Sequence, residues 1–163
     1  MATGSCCGGM RVGTLAEIDD VEALSVTLLR LWCSGPGSQE EVWNAFALAF
    51  GGRQGGAALR SFEKLVALVC GHGHRPLMRQ AVGSRDLGAD ERVFAHLIGA
   101  GATCDREQAA VMATLMVRPD VVPMVATLAQ EVGVTLRRLS LRPTALPVAA
   151  THGTAQPGLR LRH

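Results

Sequence analysis

The sequence predicts an all-α protein, a compact bundle of about six helices flanked by disordered N- and C-terminal tails. Apolar residues in the central part of the chain recur at spacings of three and four, which is the period of a helix and not of a strand. Hydrophobic residues make up 48% of the 163 residues and charged residues 18%, a balance typical of a folded domain. A chain of this length forms one domain by default.

Three helices are predicted in the first half of the chain. Thr14 with Glu17 has the spacing of a capping box, and so does Ser38 with Glu41. Glycines at 51–52 and at 71 supply the matching helix ends. The apolar positions of the three helices are Ile18, Val21, Leu24, Leu28 and Leu31, then Val42, Phe46 and Phe50, then Leu59, Phe62, Val66 and Val69.

Three further helices are predicted over residues 90–102, 105–117 and 120–132. Asp90, Asp105 and Asp120 stand where N-caps belong. A long connection from Arg75 to Gly88 separates these helices from the first three. The helix lengths are nearly regular, but no consensus recurs at a fixed period, and this favours a bundle over a solenoid.

The predicted boundaries divide the chain into a disordered tail over 1–13, one helical domain over 14–142 and a disordered tail over 143–163. The first tail is rich in glycine and has no apolar period. The second contains three prolines and no acidic residue, and its charged side chains are arginines. Both compositions are typical of chain ends without a packed core.

The location expected from the sequence is the cytoplasm. No apolar run approaches the roughly 20 residues that cross a bilayer, and the N-terminus lacks the apolar core of a signal peptide. The five cysteines are scattered and odd in number, so we expect reduced thiols and no disulfide framework.

A first candidate site is a metal centre at Cys70, His72 and His74, where a thiol and two imidazoles alternate with glycines. Zinc or iron would be the metal, with His96 or Cys104 as a fourth ligand. Structural zinc sites usually show two ligand pairs, and this segment supplies one. The alternative interpretation makes Cys70 the last apolar position of a helix, Gly71 its left-handed cap and the histidines cations at the helix end. This alternative requires no cofactor.

A second candidate lies within 125–142, in the stretch LAQEVGVTLRRL from Leu128 to Leu139. This stretch resembles the helix-turn-helix of AraC-type transcription regulators. The resemblance implies a turn at Gly133 and a recognition helix in which Thr135, Arg137 and Arg138 meet DNA. The alternative is a helix that stops at Gly133, followed by an amphipathic turn with solvated arginines.

Two loops are further candidates. Arg75, Arg79 and Arg85 make the long connection basic, so it is a candidate docking site for the acidic surface of a partner protein. The alternative is a simple connection between two helical layers. The glycine-rich segment 51–56 precedes a predicted helix, where bare amides would hold a phosphate, although it matches no nucleotide-binding motif.

The function expected from these features is a non-enzymatic protein-interaction or regulatory module. No serine elbow, HExxH motif or nucleotide loop indicates catalysis. The chain has no tyrosine and only 4% aromatic residues, which disfavours a stacking platform for RNA. DNA-binding regulation and metal binding are the two alternatives. The sequence leaves the homo-oligomeric state open.

Overall fold

A computed structural model describes residues 8–142 and, within them, confirms the all-α architecture with five α-helices instead of about six. Residues 1–7 and the predicted tail over 143–163 lie outside the described residues. The elements in chain order are β1 (Arg11–Thr14), a 3₁₀ helix (Leu15–Glu17), α1 (Asp20–Trp32), α2 (Pro36–Gly71), β2 (Asp86–Gly88), α3 (Ala89–Ala102), α4 (Arg106–Met116), a second 3₁₀ helix (Pro119–Val121) and α5 (Val122–Ser140).

A small antiparallel sheet extends the fold beyond its predicted N-terminal boundary. β1 pairs with β2, with Thr14 opposite Asp86 and Arg11 opposite Gly88. The amide of Gly8 also donates to the Arg79 carbonyl. Residues 8–13, predicted as part of a tail, therefore pack on the folded domain. Strands of three and four residues carry too little alternation to be read from a sequence.

The helix predicted from Thr14 begins six residues later. The capping box at Thr14 and Glu17 exists, with the Thr14 amide donating to Glu17 Oε2 at 2.7 Å, but it starts the 3₁₀ helix. α1 begins after Asp19, whose carboxylate accepts from the Val21 amide at 2.9 Å. Two capping boxes follow each other in the chain. The first starts the 3₁₀ helix and the second, at Asp19 and Glu22, starts α1.

The second and third predicted helices are two limbs of one bent helix, α2. The bend is at Gly51, whose φ of 76° and ψ of 168° favour glycine. The limbs then approach closely, because a Cβ placed on Gly55 would lie 2.6 Å from the Phe46 carbonyl oxygen. The predicted loop over 51–56 is therefore wrong, and so is the helix start at Ser38, since α2 begins after Gly35.

α3 and α4 follow the predictions over 90–102 and 105–117, whereas α5 departs from the prediction over 120–132. Asp105 is the N-cap of α4 and accepts from the Gln108 amide at 3.0 Å. Asp90 lies in the first turn of α3, and Asp120 lies in the 3₁₀ helix before α5. α5 runs through Gly133 to Ser140, eight residues past its predicted end at 132.

The core lies between α1, α2, α3 and α5. It continues onto α4 through Ala109, Ala113 and Met116. A smaller cluster under the sheet joins Val26, Leu87 and Ala95. Among residues 8–142 no helix is both long and apolar enough to cross a membrane. The largest fully buried apolar side chains are Phe46, Phe62, Phe94, Leu28, Leu29, Leu65, Leu87, Leu97, Ile98, Leu136 and Leu139.

Candidate functional site

An open groove of about 700 Å³ lies on the surface between the second limb of α2 and α5. The two helices run antiparallel here. Ser61 donates to Glu131 Oε2 at 2.9 Å towards one end, and Arg142 donates to the Ala49 carbonyl beyond the other. Volumes of this size are typical of ligand and peptide sites. The lining residues are Phe50, Gln54, Ala57, Ala58, Ser61, Arg106, Thr127, Gln130, Glu131, Val134, Thr135 and Arg138.

Small side chains on α2 leave this space open. Ala57 and Ala58 occupy two successive positions facing the groove, and each presents only a methyl group. Phe46 and Phe62 lie in the core with ring centroids 6.0 Å apart, and Phe62 meets Trp32 of α1 edge-on at 6.0 Å. Phe46 and Phe62 of α2 thus pack in the core, while Ala57 and Ala58 line the groove beside α5.

Charged groups occupy both ends of the groove. Arg138 lies at the end near Phe50 and has no hydrogen-bond or ion-pair partner among residues 8–142. Arg106 lies at the other end and donates to Thr127 Oγ1 at 3.3 Å. Glu131 is the one acidic lining residue, and it already accepts from Ser61. The groove therefore has a lining of mixed polar and apolar side chains with an arginine towards each end.

A buried ion pair fixes the long connection after α2. Arg30 and Glu91 have side chains 2% and 0% exposed, with Arg30 Nε 2.7 Å from Glu91 Oε1. Arg30 also donates to the carbonyls of Ser84 and Asp86, each at 2.7 Å. The Glu91 carboxylate accepts from the amides of Gln80 and Gly88. All of these hydrogen bonds join groups of the fold to each other, so the role of this cluster is to stabilise the structure.

The pKa of Glu91 reflects this environment. Burial alone raises the pKa of a carboxyl group, because it disfavours the charged form. Hydrogen bonds from Arg30 and from the amides of Gly88 and Gln80, together with the attraction of the guanidinium, outweigh that effect and hold the pKa of Glu91 below its ordinary value. Glu91 is therefore an ionised residue that anchors the connection, and it offers no proton for chemistry.

Two of the three arginines predicted to bind a partner serve the fold. Arg79 is only 5% exposed and donates to the Cys33 carbonyl at 3.0 Å, and a docking role for it stays a prediction. Arg75 is exposed but pairs with Asp90 through both of its terminal nitrogens. The Arg85 carbonyl accepts from the Leu15 amide, while its exposed side chain has no hydrogen-bond or ion-pair partner among the described residues.

The predicted metal ligands Cys70, His72 and His74 have three different partners. His72 Nδ1 lies 3.0 Å from Arg118 Nη2, and His74 Nε2 lies 3.0 Å from the Thr114 carbonyl. In the part of the chain that the structure describes, no three His, Cys, Asp or Glu side chains are grouped to hold a metal ion. The alternative cap also differs, because Gly71 is helical and His72 caps α2.

Neither proposed additional ligand joins that segment. His96 Nδ1 contacts Glu22 Oε1 at 2.9 Å across α1 and α3, and Cys104 follows the end of α3. A hydrogen bond from Cys33, the residue that caps the end of α1, lowers the pKa of Cys70 to about 7.

The predicted helix-turn-helix is wrong in its turn. Gly133 lies inside the continuous helix α5 and packs on α3, where a Cβ would lie 2.6 Å from the Ile98 carbonyl oxygen. Thr135 donates to the Glu131 carbonyl within the helix, and Arg137 donates to the Ala102 carbonyl at 3.2 Å. Arg138 faces the groove. DNA binding by these side chains stays a prediction.

Neither the groove nor the buried ion pair is predicted by the sequence. Each joins residues far apart in the chain, and the spacing signals used above are local. The one available signal for the groove was the run of small residues over 55–58. No family model, curated protein or solved structure matches this chain.

Proposed function

We propose that this protein is a non-enzymatic interaction module that binds an amphipathic helix of a partner protein in the groove between α2 and α5. The observation that carries the proposal is the groove itself, a concave face on which Phe50, Ala57, Ala58 and Val134 give apolar surface and an arginine lies towards each end. The sequence predicts the interaction surface on the basic connection after α2. The proposal places it instead on the concave face between α2 and α5.

The dimensions of the groove favour a helix of about three turns. Thr127 and Arg138 mark its ends along α5, and eleven helical steps at a rise of about 1.5 Å correspond to about 16 Å. Helices bind such grooves through apolar anchors spaced at i, i+4 and i+7. Ala57, Ala58 and Val134 provide the apolar surface on which those anchors would pack.

The charges favour acidic residues near both ends of the partner helix. Arg138 has no partner of its own among the described residues, and Arg106 has only a long hydrogen bond to a hydroxyl. Carboxylates placed there would gain ion pairs that the free protein lacks. Such pairs at the edge of an interface mainly set specificity and association rate. The proposal keeps the expected cytoplasmic location and needs no metal.

Selection from a displayed library of helical peptides tests the proposal. We expect the enriched peptides to carry apolar anchors at i, i+4 and i+7 with Asp or Glu towards both ends. Ala57→Trp, which fills the groove from an exposed position, is expected to weaken binding more than tenfold. Arg138→Glu should weaken it about two- to fivefold, the effect of an exposed ion pair.

Matched variants distinguish this site from the rest of the surface. Ala67→Trp changes an exposed alanine of α2 outside the groove, and Arg85→Glu reverses an exposed charge on the long connection. Both should bind the selected peptides as the wild type does. Enriched peptides that bind Ala57→Trp with unchanged affinity, or a selection that enriches nothing, would contradict the proposal.

A further inference from the structure

Helix α5 ends beside the groove, so the chain that follows it starts at one end of the groove. α5 ends at Ser140, and Arg142 is the last residue that the structure describes. Its guanidinium donates to the Ala49 carbonyl and lies over the Phe50 ring, 5.8 Å from the centroid. Phe50 lines the groove. Residue 143 therefore follows, at a Cα step of about 3.8 Å, a residue that is anchored at this end.

The residues after Arg142 have the composition to cover an apolar surface. Positions 145–150 are ALPVAA, without a polar side chain. Pro143 and Pro147 have no amide proton, and the residue before a proline is biased away from helical backbone, so the sequence favours an extended chain. Six extended residues at about 3.1 Å each span about 19 Å, against about 16 Å for the groove along α5. The apolar stretch therefore matches the groove in length.

The groove offers a matching surface next to that starting point. Phe50 lies at the end nearest Arg142, and Ala57, Ala58 and Val134 continue the apolar surface along the two helices. Ala57 is exposed, while Ala58 and Val134 are half-buried. A chain that enters beside Phe50 and turns back along α5 passes all three. Covering them removes apolar surface from water, which is the main favourable contribution to such a contact.

We propose that residues 145–150 of this chain occupy the groove between α2 and α5 when no partner is bound. The inference rests on the proposed function, because it takes the groove as the binding surface and adds what covers it in the free protein. Two residues connect Arg142 to this stretch, and so short a tether gives an effective concentration of the order of mM. A contact that is weak between separate molecules therefore suffices within one chain.

The charges make this internal occupant weaker than an acidic partner. Residues 143–163 contain arginines and no Asp or Glu, so they cannot form ion pairs with Arg106 or Arg138. Those two arginines lie towards the ends of the groove. A partner helix with carboxylates at both ends gains these pairs and displaces residues 145–150. The apparent affinity for any partner is then the intrinsic affinity multiplied by the fraction of molecules whose groove is open.

Photocross-linking of the full-length protein tests the contact without any partner. Val148→p-benzoylphenylalanine is irradiated, and the cross-linked peptides are mapped by mass spectrometry. We expect cross-links within one chain to residues 54–61 of α2 or 127–138 of α5. The same photoreactive residue at Leu161 is the matched control, and we expect at least about threefold fewer groove cross-links from it, because a longer tether lowers the effective concentration.

A second pair of variants tests whether the groove itself is the acceptor. Ala57→Trp fills the groove, and combined with the photoreactive residue at 148 it should reduce the groove cross-links about tenfold, the same loss expected for a partner helix. Ala67→Trp lies outside the groove and should leave them unchanged. Cross-links that persist in Ala57→Trp, that fall mainly outside the groove, or that join two chains at the mass of a dimer would overturn the proposal.

Binding of the helical peptides enriched from the displayed library gives a second measurement. Leu146→Ser with Val148→Ser should bind them about threefold more tightly than the wild type, as expected if the groove is covered in about two-thirds of the molecules. Leu159→Ser with Leu161→Ser makes comparable changes further along and should bind as the wild type does. Equal affinity in all three proteins would overturn the proposal.

The two experiments separate this inference from the proposed function. Groove cross-links from position 148 without any enriched peptide would support the internal contact and contradict partner binding. Enriched peptides that need Ala57, together with cross-links from position 148 that lie elsewhere, would support partner binding and overturn the internal contact.

Discussion

Helix α5 meets α3 on one side and α2 on the other, and the two contacts differ in how closely the backbones approach. Against α3, a Cβ on Gly101 would lie 2.5 Å from the Ala129 carbonyl carbon, so the backbones touch. Against α2, Ala57 and Ala58 face α5 across an open groove. Small residues occur in both places. They allow contact only where the rest of the core lets the helix axes approach.

The difference follows from what holds each neighbour. α3 is held at its first turn by Glu91 and its hydrogen bonds to Arg30, Gln80 and Gly88. Phe62 of α2 packs edge-on against Trp32 of α1 and lies beside Phe46 of its own helix. The close contact is thus built for stability. The open one leaves surface available for a partner.

Arg30→Met should have the largest effect, because it removes the ion pair that positions α3. We expect a loss of about 3–5 kcal/mol at neutral pH, since the variant leaves a carboxylate buried without its cation. Urea unfolding monitored by circular dichroism measures it. The matched control is Arg11→Ala, which breaks the exposed pair with Asp86 (side chains 63% and 44% exposed) and should cost under about 1 kcal/mol. Equal losses would show that α3 does not depend on the buried pair.

Gly133→Ala tests the close contact itself. Helix propensity alone predicts a gain of about 1 kcal/mol from alanine inside a helix. The added Cβ would meet the backbone of Ile98 and Ala102, so we expect instead a loss of about 1–3 kcal/mol. The sign of the change in unfolding free energy decides between the two.

Two variants serve as controls for that result. Gly71→Ala adds a Cβ that meets nothing within 4 Å, and it should leave stability unchanged or slightly increased. Ala57→Trp places a large side chain in the open groove and should change stability by less than about 1 kcal/mol. A large loss in Ala57→Trp would mean that the side of α5 facing α2 is as tightly packed as the side facing α3.

The dependence of stability on pH gives the smallest and most specific signal. Because the pKa of folded Glu91 lies below its ordinary value of about 4.5, its contribution is complete above that value and is lost as the pH falls through the lower folded pKa. Unfolding free energies between pH 7 and pH 3 should therefore decline more steeply in the wild type than in Glu91→Gln. Parallel curves for the two proteins would show that Glu91 does not contribute to the pH dependence of stability.

The sequence predicted local features well and distant ones poorly. The predicted helices over 90–102 and 105–117 correspond to α3 and α4, because periodicity and the cap at Asp105 act within a few residues. Gly133 was read as a helix end, whereas its lack of a side chain serves contact with α3. The same glycine signal fits a turn or a close approach, and only the neighbouring helix distinguishes them.

The candidate sites follow the same rule. Cys70, His72 and His74 are close in sequence, but His72 contacts Arg118 and His74 contacts the Thr114 carbonyl. Arg79 was expected at the surface because arginines usually are, and it is buried beside the Cys33 carbonyl. Pairings across the chain depend on how α1 and α2 end next to each other, which spacing along one segment does not encode.

The ion pair between Arg30 and Glu91 also bears on how the chain can be divided and made. Its two residues are separated by 61 positions, with all of α2 between them. A fragment that ends before α3 would have to bury a guanidinium without its carboxylate, which is costly. During synthesis, Arg30 therefore stays hydrated until Glu91 has left the ribosome. The two halves of this domain are expected to fold together and not one after the other.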